Sequence, residues 1–197
     1  MTIGLKGPGL YIQGEGELDK LGKYVRKMGH TFLLICSPNN QKRIGGRIAA
    51  SLQQAEKTMV YYQFGGECSK AAIQTAVEAA QAAGCDGIIG AGGGKAIDTA
   101  KAVGTNMGGL PVIIIPTIAS NDSPCAGVAV IYNEQGVVVK ALMMRRNPDL
   151  VLVDTGIIAG APKKYLISGM GDALSTYFEA RACRRSGAKT MARGMCS

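Results

Sequence analysis

Three groups of residues in this chain could do chemistry: Gly90-Ala91-Gly92-Gly93-Gly94-Lys95, the loop Pro116-Thr117-Ile118-Ala119-Ser120-Asn121-Asp122-Ser123-Pro124-Cys125, and Asp172 with Gly169 and Gly171 just before it. The glycine run lies between an apolar stretch ending in Ile88 and Ile89 and a segment where Ala96, Ile97, Ala100 and Val103 recur at helical spacing. A loop without Cβ atoms can take positive φ and let a ligand touch its backbone. The helix that follows opens on unpaired N–H groups and a positive dipole end. Together these make a cradle for an anion. Lys95 strengthens the case, because a cation in a first helical turn opposes the macrodipole unless an anion such as phosphate sits beside it. An ordinary tight strand-to-helix connection is the competing account. The run is not a Walker A loop, since Ala96 stands where a Ser or Thr would hold magnesium and Ile89 where the first glycine belongs, and it is not a clean G-x-G-x-x-G.

The second group offers hydroxyls, an amide and one carboxylate. Thr117 and Ser120 either bond their own loop, as such residues often do, or face a ligand. The loop's place opposite the glycine turn leaves the two readings about even. Asp172 falls inside a helical pattern, on one face with Ser175 and Thr176. On spacing alone a lone helical Asp is a surface residue. Interior glycines cost about 1 kcal/mol each relative to alanine, so Gly169 and Gly171 suggest that something approaches the backbone there.

The elements that must position these groups follow from hydropathy. Tyr11 and Ile12 suit a short edge strand, and Leu18, Leu21, Tyr24 and Val25 an amphipathic helix. Thr31 to Cys36 is a continuous apolar strand, and Gln41 to Lys57 reads as a helix despite Gly45 and Gly46. Thr58 to Phe64 is a strand and Lys70 to Ala83 a helix capped by Ser69, while Pro111 to Ile115 is a further strand. Val128 to Tyr132 and Val137 to Leu142 form a hairpin, Leu150 to Val153 a last strand, and the segment from Pro162 to Cys183 a helix with an apolar stripe. Strands apolar on both faces that alternate with helices predict a doubly wound parallel sheet, a Rossmann-like α/β domain, in which ligands sit beyond the carboxyl ends of the strands.

Composition narrows the function classes. The chain has 197 residues, 47% hydrophobic and 18% charged, which suits a packed globular protein. No apolar run is long enough to cross a bilayer and the start lacks a signal-peptide core, so a cytoplasmic protein with no membrane partner is expected. The net charge of +8 does not signal nucleic acid, because much of the excess (Arg181, Arg184, Arg185, Lys189, Arg193) sits in an end without acidic or aromatic partners. The six cysteines show no Cys-x-x-Cys pairing and no clustering with the single His30, so buried apolar roles are expected for them.

Four motifs in their order, Phe64-Gly65-Gly66-Glu67-Cys68-Ser69, Gly92-Gly93-Gly94-Lys95 with Asp98-Thr99-Ala100-Lys101, Pro116-Thr117-Ile118-Ala119-Ser120 with Asp122 and Cys125, and Gly169-Met170-Gly171-Asp172-Ala173-Leu174 with Phe178-Glu179-Ala180-Arg181, resemble the glycerol dehydrogenases of the iron-containing alcohol dehydrogenase superfamily. The resemblance covers nearly the whole chain. It implies an NAD-dependent oxidoreductase converting glycerol to dihydroxyacetone with Zn2+, homo-oligomeric at full length. It also implies cofactor contacts from Ser37, Gly93, Gly94, Lys95, Asp98, Thr117, Ser120, Ala126, Val128 and Tyr132, polyol binding by Asp122, and metal ligation by Asp172.

Two departures stand out. Ser37 occupies the place of an Asp that binds the adenosine ribose, which makes NADP an alternative to NAD, and Ala126 replaces a common Ser. The family's two histidine metal ligands have no counterpart in 197 residues, so a chain of this kind is expected to be the N-terminal portion of such an enzyme, truncated and inactive alone. The division expected is a dinucleotide-binding domain over 1–160 and the first helix of an incomplete helical metal and substrate domain over 161–197. The alternative is a non-catalytic dinucleotide-binding fragment or subunit-association module. A phosphorylated substrate would call for basic residues between Thr117 and Cys125, where there are none.

Overall fold

The computed structural model describes residues 6–189. Its strands are β1 (Leu10–Gly14), β2 (Thr31–Cys36), β3 (Thr58–Gln63), β4 (Gly87–Gly92), β5 (Val112–Pro116), β6 (Val128–Tyr132), β7 (Val138–Met143) and β8 (Leu150–Asp154). Six of them form one parallel sheet in the order β1-β8-β5-β4-β2-β3, and β6 and β7 pair as a separate antiparallel hairpin. The central strands carry the apolar runs because both of their faces are covered. Every residue of β4 and β5 is buried.

Alternation along the strands divides the core in two. Phe32, Leu34, Ile89, Ile113 and Leu152 pack on one face against the helices α1 (Leu21–Tyr24) and α3 (Gly46–Gln53). Leu33, Ile35, Ile88, Ile114 and Val151 pack on the other against α4 (Lys70–Ala82), α5 (Gly94–Asn106) and the hairpin. A short α2 (Pro38–Asn40) follows β2, α6 (Thr155–Ala159) follows β8, and α7 (Lys163–Ser186) leaves the sheet. No helix among the described residues is long and apolar enough to cross a membrane.

Local details depart from the periodicity. The helix expected from Gln41 starts earlier, at Pro38, because Ser37 caps it by accepting a hydrogen bond from the Asn40 N–H at 3.3 Å. It runs through a π-helical turn over Gln41–Gly45 and ends at Gln53, four residues short of Lys57, where Glu56 takes a φ of 57° to turn the chain into β3. The helix expected around Leu18 to Val25 is a 3-10 turn, Glu17–Lys20, joined to the single turn of α1, yet Leu18, Leu21 and Val25 are fully buried.

The chain goes from β2 to β3 on one side and then crosses to β4 on the other side of β2, so the strand order reverses between β2 and β4. The carboxyl ends of these two strands flank a crevice of the kind in which doubly wound sheets bind ligands.

Candidate functional site

The glycine run sits at that reversal. β4 ends at Gly92 and α5 begins at Gly94, so the connection is Gly93 alone, with φ −91° and ψ −176°. None of Gly92, Gly93 and Gly94 takes positive φ. They are needed instead for lack of a Cβ, which would lie 2.9 Å from the Ala96 Cβ at Gly92 and 2.8 Å from the Ile118 Cδ1 at Gly93. Gly90 does the same work below them, where a Cβ would fall 2.6 Å from that of Ala100, so α5 rides close over β4.

The crevice, about 270 Å³, is lined by Ser37, Asn40, Phe64, Gly92, Gly93, Gly94, Lys95 and Ala96. Asn40 Nδ2 reaches across it to the Ala91 carbonyl and Thr117 Oγ1, both at 3.4 Å. While Ser37, Ser69 and Asp154 cap their helices with side chains, α5 has no side-chain cap. Its opening N–H groups therefore present bare donors and a positive dipole end to the crevice, and these donors fit the pyrophosphate of a dinucleotide. Lys95, however, already has an anion. It pairs with Glu67 in the turn before α4, and its Nζ lies 5.0 Å from the Tyr132 ring centroid. A carboxylate of the chain thus offsets the misplaced helix-start cation, where the sequence suggested a phosphate.

Asp98 does not face the crevice. It is 5% exposed, and its carboxylate accepts from Ser123 Oγ at 2.7 Å and from the Val130 N–H at 2.9 Å while pairing with Lys101 at 2.8 Å. Both oxygens are used within the chain, in place of the cofactor contact expected of it. Lys101, fully buried one turn on, donates to the carbonyls of Ser123 at 2.9 Å, Ala126 at 3.2 Å and Val128 at 2.5 Å. This clasp fixes the loop after β5 against α5, so Ala126 and Val128 meet it through their carbonyls. Thr117 is 4% exposed, with its N–H donating to the Gly92 carbonyl at 3.0 Å, which ties the loop's start to the glycine turn. Ser120 lies further out, half-buried.

The loop's other end meets α7. A Cβ at Gly169 would lie 2.3 Å from the Ala119 carbonyl oxygen, so only glycine lets the helix approach so near. Ser168 Oγ donates to the Ser120 carbonyl at 3.3 Å, and the Asp122 N–H donates to Asp172 Oδ2 at 3.1 Å. The structure thereby brings Asp122 and Asp172, fifty residues apart, to one exposed spot. Gly171 meets nothing within 4 Å and has no structural explanation. Among the described residues no group of three or more His, Cys, Asp and Glu side chains could hold a metal ion. Asp172 with Asp122 nearby is too small a donor set, so these residues do not by themselves fit zinc.

His30 is exposed and remote from Asp172 in role, its N–H donating to Asp86 Oδ1 at 2.7 Å. Cys36, Cys68 and Cys85 are buried as expected, while Cys125 and Cys183 are half-buried and Cys196 lies outside the described residues. Burial pushes the Cys36 and Cys68 thiols up to about 11. Sequence reasoning missed Glu67 and Asn40 at the site and Lys101 as the buried clasp behind its loop. Lys101 carried a faint signal in its spacing from Asp98, whereas the partners of Glu67 and Asn40 lie 28 and 77 residues away.

Known proteins resemble this chain over most of its length. The family model described as iron-containing alcohol dehydrogenase matches residues 8–155. A glycerol dehydrogenase of Escherichia coli O6:H1 is 44% identical over 193 residues, which cover 98% of this chain and 52% of that protein, and one from Citrobacter freundii is 40% identical over 96% of this chain and 52% of its own. The crystal structure of glycerol dehydrogenase from Schizosaccharomyces pombe matches with a TM-score of 0.90 at 34% identity, covering 100% of this chain and 50% of that one. A probable glycerol dehydrogenase from Sinorhizobium meliloti 1021 matches with a TM-score of 0.84 at 41% identity over 91% and 49% of the two chains. The chain spans about half the length of the curated relatives it matches.

Proposed function

This chain belongs to the iron-containing alcohol dehydrogenase family, and from that premise we propose that it provides the dinucleotide-binding part of a glycerol dehydrogenase-type oxidoreductase acting on glycerol or a similar small polyol. One observation carries this reading: the uncapped start of α5, Lys95 and the polar loop after β5 come together at the carboxyl ends of β4 and β5, beside the reversal of strand order.

The pyrophosphate would rest on the N–H groups at Gly94 and Lys95, with Gly93 keeping the approach open. Ser37, at the end of β2, would face the adenosine ribose. A hydroxyl there neither demands a ribose 2′-OH nor repels a 2′-phosphate as a carboxylate would, so NADP is a candidate beside NAD. Thr117, Ser120, Val128 and Tyr132 would line the nicotinamide half, with Ala126 contributing backbone only. A bound nicotinamide supplies the hydride acceptor. The chain's own residues bind and orient, the Asp122 carboxylate accepting hydrogen bonds from polyol hydroxyls so that one carbon is held toward the acceptor.

Asp172 would offer one carboxylate to a divalent ion whose other ligands lie outside the described residues, and no step is routed through that ion. Residues 1–160 would act as the dinucleotide domain and 161–197 as the start of a helical one, in a homo-oligomeric cytoplasmic protein. The small donor set around Asp172 favours a second reading, a binding module without turnover.

Calorimetric titration with NAD and NADP, followed by a glycerol-dependent reduction assay with added Zn2+, separates the readings. Binding with turnover supports the oxidoreductase, binding alone supports the module, and no heat with either nucleotide rejects both.

A further inference from the structure

Glu67 reaches the crevice through Lys95, and phosphate binding does not explain it. It stands in the turn between β3 and α4 and holds the Lys95 ammonium through Oε1, while its Oε2 is buried without a hydrogen-bond partner. Native structures seldom leave a carboxylate oxygen in that condition, and each case asks for a reason. The side chains of Lys95 and Glu67 are 41% and 37% exposed, so the pair is open to exchange and is not locked in the core. Its position is the telling part. A carboxylate that already holds the ammonium of the first-turn lysine supplies that cation with the negative charge a phosphate would otherwise bring.

Resting on the dinucleotide reading above, we propose that Glu67 competes with phosphate for Lys95 and so sets the threshold of affinity that a phosphate ligand must exceed to bind. In the free chain the carboxylate neutralises the ammonium and offsets its conflict with the α5 dipole. When a phosphate arrives, either the carboxylate gives up Lys95 or two anions share one cation. Both routes weaken binding. The penalty falls on every phosphate ligand alike, so a small anion with few other contacts is excluded. A dinucleotide, which adds contacts along the crevice from Ser37 to Tyr132, overcomes it. The half-satisfied carboxylate makes the exchange cheap, because the oxygen now without a partner reaches water once Glu67 swings away.

The test is Glu67→Gln in the whole chain, which keeps the shape and a neutral oxygen for Lys95 but removes the competing charge. Wild type and E67Q are titrated calorimetrically with NAD, ADP, inorganic pyrophosphate and adenosine, with thermal melts confirming that both are folded. The three phosphate ligands are expected to bind E67Q about three- to fivefold more tightly, the range of a partly exposed ion pair, with adenosine unchanged. The gain is expected to shrink as ionic strength rises from about 0.01 to 0.15 M, where the Debye length falls from about 30 to 8 Å.

Equal affinity of the two proteins for NAD overturns the proposal while leaving the dinucleotide reading intact. Weaker binding by E67Q also overturns it, since Glu67 would then be orienting Lys95 for the ligand. If folded wild type and E67Q bind none of the phosphate ligands, the dinucleotide reading fails and this proposal with it. Should E67Q fail to fold, Glu67→Ala is read for the same sign.

Discussion

Lys101 shows how one side chain can set the shape of a site it never reaches. It is fully buried, yet an ammonium cannot be buried alone, and its partners are the Asp98 carboxylate and three carbonyls of the loop that bears Asp122. Removing one member of such a pair leaves the other charge buried and unmatched. Lys101→Met is therefore expected to destabilise the fold by about 3–5 kcal/mol, read as a lower midpoint in urea, and to lose more than Asp98→Asn, which keeps hydrogen-bonding atoms in place. The cysteines give a second residue-level outcome. Because burial holds the Cys36 and Cys68 thiols at about 11, they stay protonated and shielded near neutral pH. Alkylation of the native protein at pH 8 should spare both, as mass spectrometry of the labelled peptides would show, and denaturant should release them.

At the scale of elements, the contact between α7 and the loop after β5 is what joins Asp122 to Asp172. Gly169 makes it possible, and any Cβ would collide with the Ala119 carbonyl. Gly169→Val is expected to push α7 off the loop, break the hydrogen bond from the Asp122 N–H to Asp172 and speed exchange of that amide at least tenfold, with exchange in β2, β4 and β5 unchanged. The glycines before Asp172 carried part of this in the sequence, since a costly residue inside a helix asks for a close neighbour; the neighbour's identity lay fifty residues away and was not readable.

The same limit explains the rest. Central strands such as Thr31 to Cys36 were legible because burial on both faces writes a continuous apolar run, and the α4 cap at Ser69 was legible because capping is local. The partners of Asp98 and Lys95 were not legible in the same way: each is matched by a group far along the chain, Val130 and Glu67. Local chemistry shows which groups want partners, and only the fold says which partners they get.

Across the whole molecule, stability is concentrated in the sheet and thins toward α7. Asp154 ties one end of the sheet together. It is 2% exposed, caps α6, accepts from the N–H groups of Gly16 and Leu18 at 3.3 Å each, and takes Arg47 Nη2 at 3.0 Å. Burial alone would raise its carboxyl, but the Leu18 and Gly16 N–H groups and the Arg47 guanidinium outweigh it and hold the carboxyl below the ordinary 3.8. A carboxyl depressed on folding contributes stability that is whole above its unfolded pKa and is lost as pH falls through the folded one. Asp154→Asn is therefore expected to be less stable at neutral pH by about 1–3 kcal/mol, through donors left poorly matched, and to show a shallower loss below pH 4 than the wild type in denaturant titrations.

At the other extreme, α7 has no buried residue in its 24, and Leu166, Ile167, Met170, Leu174, Tyr177 and Phe178 are all more than half exposed. Helices in proteins draw most of their stability from packing an apolar face, and α7 leaves its own exposed. The contacts around Gly169, Ser168 and Asp172 tie it to the loop after β5. Hydrogen exchange at neutral pH should therefore find the α7 amides beyond Tyr177 opening far more readily than those of β4 and β5, whose protection should approach the global unfolding free energy. Equal protection in both regions would mean that the apolar face of α7 is covered in solution.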